Sequence, residues 1–599
     1  MKRWLKYVKP YSFYFICGPV CMIIEVIGEV VMPKLLANII DYGTGAVPPS
    51  EGSAFVQWVF SVVGQKNSPF IIAIMVGMIM TALLMMAGGV GGAYFGAKAA
   101  VNFAADLRAD IYRKVQQFSF ANIDKFSTGS LVTRLTNDVT QLQNFINMLL
   151  RMCLRSPGML IGGIIMAMRV NPKLTGTLGV SLPLLCFTIF FFMRKALPRF
   201  TSMQTKIDRL NSTVQENVTN VRVVKSFVRE EHEKEKFAKA NAELKAGGMG
   251  AMKLMIMMSP AMTFFMNATT IAVYWFGGNM LVKGTMTTGS LTAFITYISQ
   301  ILSSLVFISV MLVMMSRAMA SARRIAEVLD EEVDVTDGDL SPEDAARTVE
   351  NGSVEFRNVR FRYYKHSEER VLENINLKIE AGQTVGVIGS TGSGKSTLVS
   401  LIARLYDCDE GEVLVDGVNV RRYSLFHLRE GVGFVLQKNV LFSGTIADNL
   451  RWGDENATDE EVRKAASYAQ ASGFVEQFKD GYDTLLDQGG TNVSGGQKQR
   501  LCIARALLKK PKILVLDDST SAVDTATEAK IREAFANELK GATKIIIAQR
   551  ISSVKDADMI VVVDDGKITG VGTHESLLNH NTEYTEIYYS QVEKEEVTA

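Results

Sequence analysis

Residues Thr384–Leu405 read TVGVIGSTGSGKSTLVSLIARL. An apolar β-type run gives way to the loop Gly389-Ser390-Thr391-Gly392-Ser393-Gly394-Lys395-Ser396, and the loop opens directly into a segment with helical apolar spacing. This is GxxxxGK[ST] in the strand–loop–helix context that gives the motif its meaning. Its glycines let backbone N–H groups curl around phosphate oxygens, and the helix that starts near Thr397 adds the positive end of its dipole. Lys395 is then placed to neutralise β and γ phosphates, and the Ser396 hydroxyl to ligate Mg²⁺. The stretch predicts an α/β P-loop domain that holds ATP with Mg²⁺.

Working outward, a second apolar strand, Lys512-Ile-Leu-Val-Leu-Asp517, ends in an acid at its carboxyl end, where the Mg²⁺-side carboxylate of such a domain belongs. Between the two lies Val493-Ser494-Gly495-Gly496-Gln497, followed by KQRLCIARAL with helical periodicity. Ser-Gly-Gly at a helix start suits a phosphate; taken by itself it is a flexible loop. Upstream, VEFRNVRFRYY (354–364) alternates as a strand does. Before it, residues 330–350 are acidic, poor in apolar side chains and contain Pro342, as a linker should be. The expected division is 1–318, a linker at 319–350, and a nucleotide-binding domain at 351–599.

The 599-residue chain is 48% hydrophobic and 21% charged, an average that conceals two unlike halves. Before about residue 318, six stretches reach the roughly 20 residues needed to cross a hydrocarbon core of ~30 Å. They are 13–36, 69–95, 142–169, 174–194, 254–282 and 291–315. Lys and Arg gather in the connectors around 96–140 and 194–253, which puts both termini on the cytoplasmic side. These connectors read as helical continuations of the spans, with interruptions at Ala121–Gly129 and near Asp208–Asn220 that suit short helices touching a cytoplasmic motor. The fold class is thus an all-α, six-helix membrane domain followed by an α/β domain.

Met1–Pro10, with four cationic residues plus Trp4 and Tyr7, reads as an amphipathic interfacial segment and not as a cleavable leader. The six cysteines show neither metal-ligand nor disulfide-framework spacing and read as structural. A net charge of +2 gives no reason to expect nucleic acid as a partner. Glu25 and Glu29 lie on one helix face of the first span. Carboxylates are costly in lipid and should face a protein or aqueous interior. They suit a cationic substrate or a proton, or equally an interhelical hydrogen bond. Met-rich second and fifth spans suit either varied apolar ligands or ordinary packing.

Together these residues resemble the ABC transporter superfamily, in the family's own order. Tyr363 matches the aromatic that stacks on adenine, Gln437 the Q-loop glutamine that touches Mg²⁺, Ser494–Gln497 the signature, and Ser521-Ala-Val-Asp524 the D-loop. FSTGSLVTRLTNDV and ENVTNVRVVKSFVREEHE are similar to the exporter type of membrane domain. The resemblance implies a dimer in which each ATP lies between one chain's Walker A and the other's signature. Two departures matter. Asp518 stands where the family has a glutamate that polarises the attacking water, and Gln549 where it has the switch histidine. A lesser one is Gln488, just before the signature, in place of a glutamate. Moving a catalytic carboxylate by ~1 Å costs on the order of 10²-fold. The chain's own site should therefore bind ATP and hydrolyse it slowly, as in the degenerate-site subunit of bacterial heterodimeric multidrug exporters. The expected partners are a second half-transporter, the bilayer of a bacterial cytoplasmic membrane, and a small amphipathic drug. A homodimeric lipid or peptide exporter with slow hydrolysis and an ATP-binding conformational sensor are the alternatives.

Overall fold

The computed structural model describes residues 2–64, 67–364, 367, 369–518 and 523–598. They form two compact units: Met1–Val115 with Gly129–Asp330, and Gln116–Thr128 with Glu331–Ala599.

The first part of the chain gives α1 (Lys2–Val8), α2 (Ser12–Asn38), α3 (Ala54–Val63), α4 (Asn67–Gln116), α5 (Phe120–Lys125), α6 (Thr128–Thr133), α7 (Val139–Val170), α8 (Pro172–Thr219), α9 (Val221–Ser226), α10 (Glu230–Val282) and α11 (Thr288–Asp330). Among the described residues, six helices are long and apolar enough to cross a membrane. Helices α4, α8 and α10 have 50, 48 and 53 residues, more than twice what a bilayer needs, so the basic connectors are helical continuations of the spans. The second interruption is narrower than 208–220 and is confined to its last residue, Asn220, between α8 and α9. Ion pairs Arg209–Glu243 and Lys236–Glu216 lace α8 to α10 and keep α8 helical to Thr219, and the short α9 follows. Likewise α11 runs to Asp330, because Ala318, Ile325 and Val328 continue its buried face; the linker is irregular only from Glu331.

Tyr297 and Phe294 of α11 are fully buried with Leu174 and Leu185 of α8, and the Tyr297 hydroxyl donates to the Val30 carbonyl of α2 (2.9 Å). The buried Asp41 carboxylate accepts from Thr287 Oγ1 (2.6 Å) and from the Gly289 N–H (2.7 Å), fixing the start of α11. Helix α4 meets α2 at Gly88, where a Cβ would lie 2.8 Å from the Cys21 carbonyl oxygen.

The second unit has two main sheets. β1 (Val354–Phe361), β2 (Leu372–Ile379), β4 (Glu410–Val415) and β5 (Val418–Asn419) form an antiparallel sheet in the order β2-β1-β4-β5. β3 (Thr384–Ile388), β6 (Val432–Val435), β9 (Ile513–Asp517), β10 (Thr543–Ile547), β11 (Met559–Asp564) and β12 (Lys567–Gly572) form the other, in the order β12-β11-β3-β10-β9-β6. All of its pairings are parallel except β11–β12. The inner strands β9 and β10 are buried at every position because both faces are covered. One short antiparallel pair, β7 (Gly444–Thr445) with β8 (Leu485–Leu486), completes the set. Asp416 ties the linker to this unit, its carboxylate accepting from the four backbone N–H groups of Glu350, Asn351, Gly352 and Ser353.

Candidate nucleotide site

A parallel sheet collects function at the carboxyl ends of its strands, and five neighbouring strands do so here. β3 feeds the glycine loop, β9 ends in Asp517, β6 leads to Gln437, β10 to Gln549, and β11 ends in Asp564, which accepts from Ser390 Oγ (3.0 Å). The loop must be glycine at Gly389, where a Cβ would sit 1.9 Å from the Val563 carbonyl oxygen. Gly392 and Gly394 have φ of +88° and +99°, a region that L side chains rarely adopt.

Lys395 folds back over this loop, its Nζ donating to the carbonyls of Gly389 (2.9 Å) and Ser390 (2.6 Å) and to Ser393 Oγ (3.4 Å). Burial holds its pKa below the usual lysine range, against the pull of Asp517 and Asp518. Ser396 Oγ donates to Asp517 Oδ1 (2.9 Å). Burial raises the carboxyls of Asp517 and Asp518; hydrogen bonds from Ser396 to Asp517, and from Gln437 and Gln549 to Asp518, oppose it. Two neighbouring acids held above their ordinary range, beside a hydroxyl and an amide oxygen, are a hard donor set that a divalent cation would relieve. Ser396, Asp517 and Gln437 fit Mg²⁺. Tyr363 lies beside the helix Lys395–Ser400, its hydroxyl 2.8 Å from Thr397 Oγ1.

Asp518 has φ of +47°, and its amide N–H donates to the Ile547 carbonyl (3.1 Å), which directs the side chain away from the strand. Its Oδ2 accepts from Gln549 Nε2 at 2.9 Å, so the two residues that depart from the family pattern are bonded to each other. Ser494 and Asp524 cap their own helices. Ser494 Oγ accepts from the Gln497 N–H (3.3 Å) while the Ser494 N–H donates to Gln497 Oε1 (2.8 Å), leaving Ser494 and Gly495 exposed at the helix N-terminus. Asp524 Oδ1 accepts from the Thr527 N–H (2.9 Å). Ser521 and Ala522 of the D-loop stretch lie outside the described residues.

Several participants were not singled out one by one from the sequence. Tyr406 packs edge-on against Tyr363, with centroids 5.2 Å apart, and its hydroxyl donates to Asp124 Oδ2 of α5 (2.9 Å). Lys125 of the same short helix pairs with Glu331 (2.7 Å), and Asn122 Nδ2 donates to the Glu332 carbonyl (2.8 Å). Tyr363, Tyr406, Asp124 and Lys125 help line a cavity of about 840 Å³. Another is Gln591, which bonds the backbone after β10. In the membrane unit, Glu25 and Glu29 share Arg155 of α7, with Nη2 at 2.6 Å from Glu29 and 3.4 Å from Glu25. Gln300 of α11 donates to the Glu29 carbonyl (3.1 Å), while Glu29 Oε2 and Gln300 Oε1 are buried without a hydrogen-bond partner.

Two family models match the chain in sequence. The model of the ABC transporter transmembrane region covers residues 15–305, and that of the ABC transporter covers residues 372–521. An uncharacterized ABC transporter ATP-binding protein of Bacillus subtilis, YfiB, is 37% identical over 99% of both chains. The ATP-dependent lipid A-core flippase of Syntrophus aciditrophicus is 34% identical over 82% of this chain and 81% of its own. A bacterial Atm1-family ABC exporter solved with ATP bound shares the fold, with a TM-score of 0.77 at 23% identity over 96% of this chain and 98% of that one. With both domains matched in order and a relative aligned end to end, the chain belongs to the ABC transporter superfamily, as an exporter-type half-transporter with one transmembrane and one nucleotide-binding domain.

Proposed function

We propose that this ABC exporter chain is one subunit of a heterodimer in a bacterial cytoplasmic membrane, with both termini cytoplasmic and a degenerate ATP site on its own Walker residues. The observation that carries the reading is the Asp518–Gln549 pair. A carboxylate one methylene shorter than the usual glutamate, engaged by the amides of Gln437 and Gln549, is poorly placed to polarise water. Gln549 also lacks a titratable imidazole. Lys395, Ser396, Asp517 and Gln437 would still hold ATP and Mg²⁺ through phosphate and cation contacts. The Ser494-Gly495-Gly496 helix start, exposed at Ser494 and Gly495, would complete the partner's site, where most hydrolysis would occur.

For cargo we favour amphipathic drugs. Glu25 and Glu29 would act through Arg155: two carboxylates against one guanidinium leave the cluster net negative, which suits a cationic head. A homodimeric lipid exporter with slow hydrolysis is the second reading, favoured by the relative named as a lipid A-core flippase.

The test is ATPase activity of the purified chain alone, beside the double variant Asp518→Glu, Gln549→His. The expected result is near-silent wild type and a gain on the order of 10²-fold in the variant. Turnover of several per second by wild type alone, stimulated by drug or lipid, would discard the heterodimer.

A further inference from the structure

We propose that Gln591, on the C-terminal helix, is a positioning residue for the switch segment: its side-chain amide latches the backbone that carries Gln549.

The geometry is a two-point clamp. After β10 the chain leaves the parallel ladder, so the backbone groups of residues 549–551 need partners elsewhere. Gln591 Nε2 donates to the Gln549 carbonyl (2.8 Å), and Gln591 Oε1 accepts from the Ile551 N–H (2.9 Å). One amide thus does for this segment what a neighbouring strand would do. Fixing the backbone on both sides of Arg550 sets where the Gln549 side chain hangs, and that side chain donates to Asp518 Oδ2 (2.9 Å). The chain of contacts runs from Gln437 through Asp518 and Gln549 to Gln591, from the Mg²⁺ side of the site to the last helix.

That helix, Thr582–Thr598, is anchored well enough to act as a fixed arm. Asn581 caps it, Oδ1 accepting from the Tyr584 N–H (2.7 Å), and Tyr584 is fully buried with its hydroxyl 2.7 Å from His574 Nδ1. Ile587 and Tyr588 pack against the same core. Seven residues after Tyr584 is two helical turns, so Gln591 projects from the anchoring face. No local motif announces it. The residue lies 42 positions from Gln549, between Ser590 and Val592.

The inference rests on the proposed function, in which Gln549 takes the place of the switch histidine, and on Gln549 facing the γ-phosphate from there; its test separates the two. The full chain in detergent is titrated with Mg-ATP and Mg-ADP by displacement of a fluorescent nucleotide. Gln591→Met keeps volume and helix propensity but removes both hydrogen bonds; Gln591→Ala is the second variant should the first misfold. Losing the latch should weaken ATP roughly three- to tenfold, the worth of about one hydrogen bond, and leave ADP unchanged. Melting temperature should stay near wild type. A wild-type ATP/ADP ratio in Gln591→Met overturns the latch. So does equal loss of both nucleotides with a lower melting temperature, which is a merely structural role. Gln549→Ala is the reference. If it leaves the ratio unchanged, the switch reading falls and the latch falls with it; if it lowers the ratio while Gln591→Met does not, the latch alone is wrong.

Discussion

The two units bury their apolar residues to very different degrees. Only 11% of the most apolar window of α4 is buried within the chain, whereas β9 and β10 are buried along their whole length. Phe276 and Trp275 of α10 stand exposed. The strands carry a finished core of their own; the spans leave most of their surface for lipid and partner. In the nucleotide unit, a burial penalty inside the chain therefore has functional meaning, as at Asp517 and Asp518. In the membrane unit Glu29 keeps its place in the first span beside a cation from another helix, Arg155.

The largest effect that tests this contrast is at Asp517. Its carboxyl and that of Asp518 are raised by burial. The sign follows directly: their contribution to stability is fully present below the ordinary aspartate range of about 3.9 and is lost as pH rises through the raised values. At neutral pH the nucleotide-free unit is thus strained by its own site, and Asp517→Asn should raise its melting temperature. The same change should abolish stabilisation by Mg-ATP, which at a ligand concentration of 100 Kd is about 2.7 kcal/mol in wild type. Thermal shift with and without Mg-ATP reads both. A variant that melts lower without nucleotide, or is still stabilised by Mg-ATP, breaks the assignment of strain to the cation site.

Next in size is Arg155. Arg155→Met leaves two carboxylates without their cation and should cost about 1.5–3 kcal/mol, more than Glu25→Gln, which removes the longer contact. The triple variant Glu25→Gln, Glu29→Gln, Arg155→Met should recover most of the loss, because removing both sides of an ion pair is far milder than removing one. Melting of the detergent-solubilised protein measures this order. If the triple variant is the least stable, the cluster is not held by charge pairing.

How far each region could be read from the sequence follows the same division. Gly389–Ser396, Asp517 and Ser494–Gln497 are contiguous motifs whose chemistry depends on local geometry; the first two stand at strand ends and the third at a helix start, as the motifs require. Arg155 sits 126 positions from Glu29, and Tyr406 282 from Asp124; pairings at that range depend on helix packing and on which loop joins which unit. The interruption expected across 208–220 narrows to Asn220 for a similar reason: Arg209 and Glu216 pair across to α10, contacts that no local pattern shows. Asp518 and Gln549 were visible as departures, but their hydrogen bond to each other was not.

The smallest predicted effect concerns residues 116–128, which lie in sequence between α4 and α7 yet belong to the nucleotide unit. If Tyr363 is the adenine-stacking residue that the family resemblance implies, its contacts lead outward: Tyr406 is packed edge-on against it, and the Tyr406 hydroxyl donates to Asp124 of α5. Nucleotide on Tyr363 should therefore fix Tyr406 and, through it, this segment. Burial and the Asp124 carboxylate both hold the Tyr406 phenol protonated, so the bond persists at any working pH. Tyr406→Phe keeps the ring contact and removes about 0.5–1.5 kcal/mol of hydrogen bonding. Amide exchange across 116–128 should slow with Mg-ATP in wild type and slow less in the variant, with nucleotide affinity little changed. Equal protection in both proteins would mean that the ring contact alone carries the signal. No protection in either would mean that this segment, although packed with the nucleotide unit, does not respond to what that unit binds.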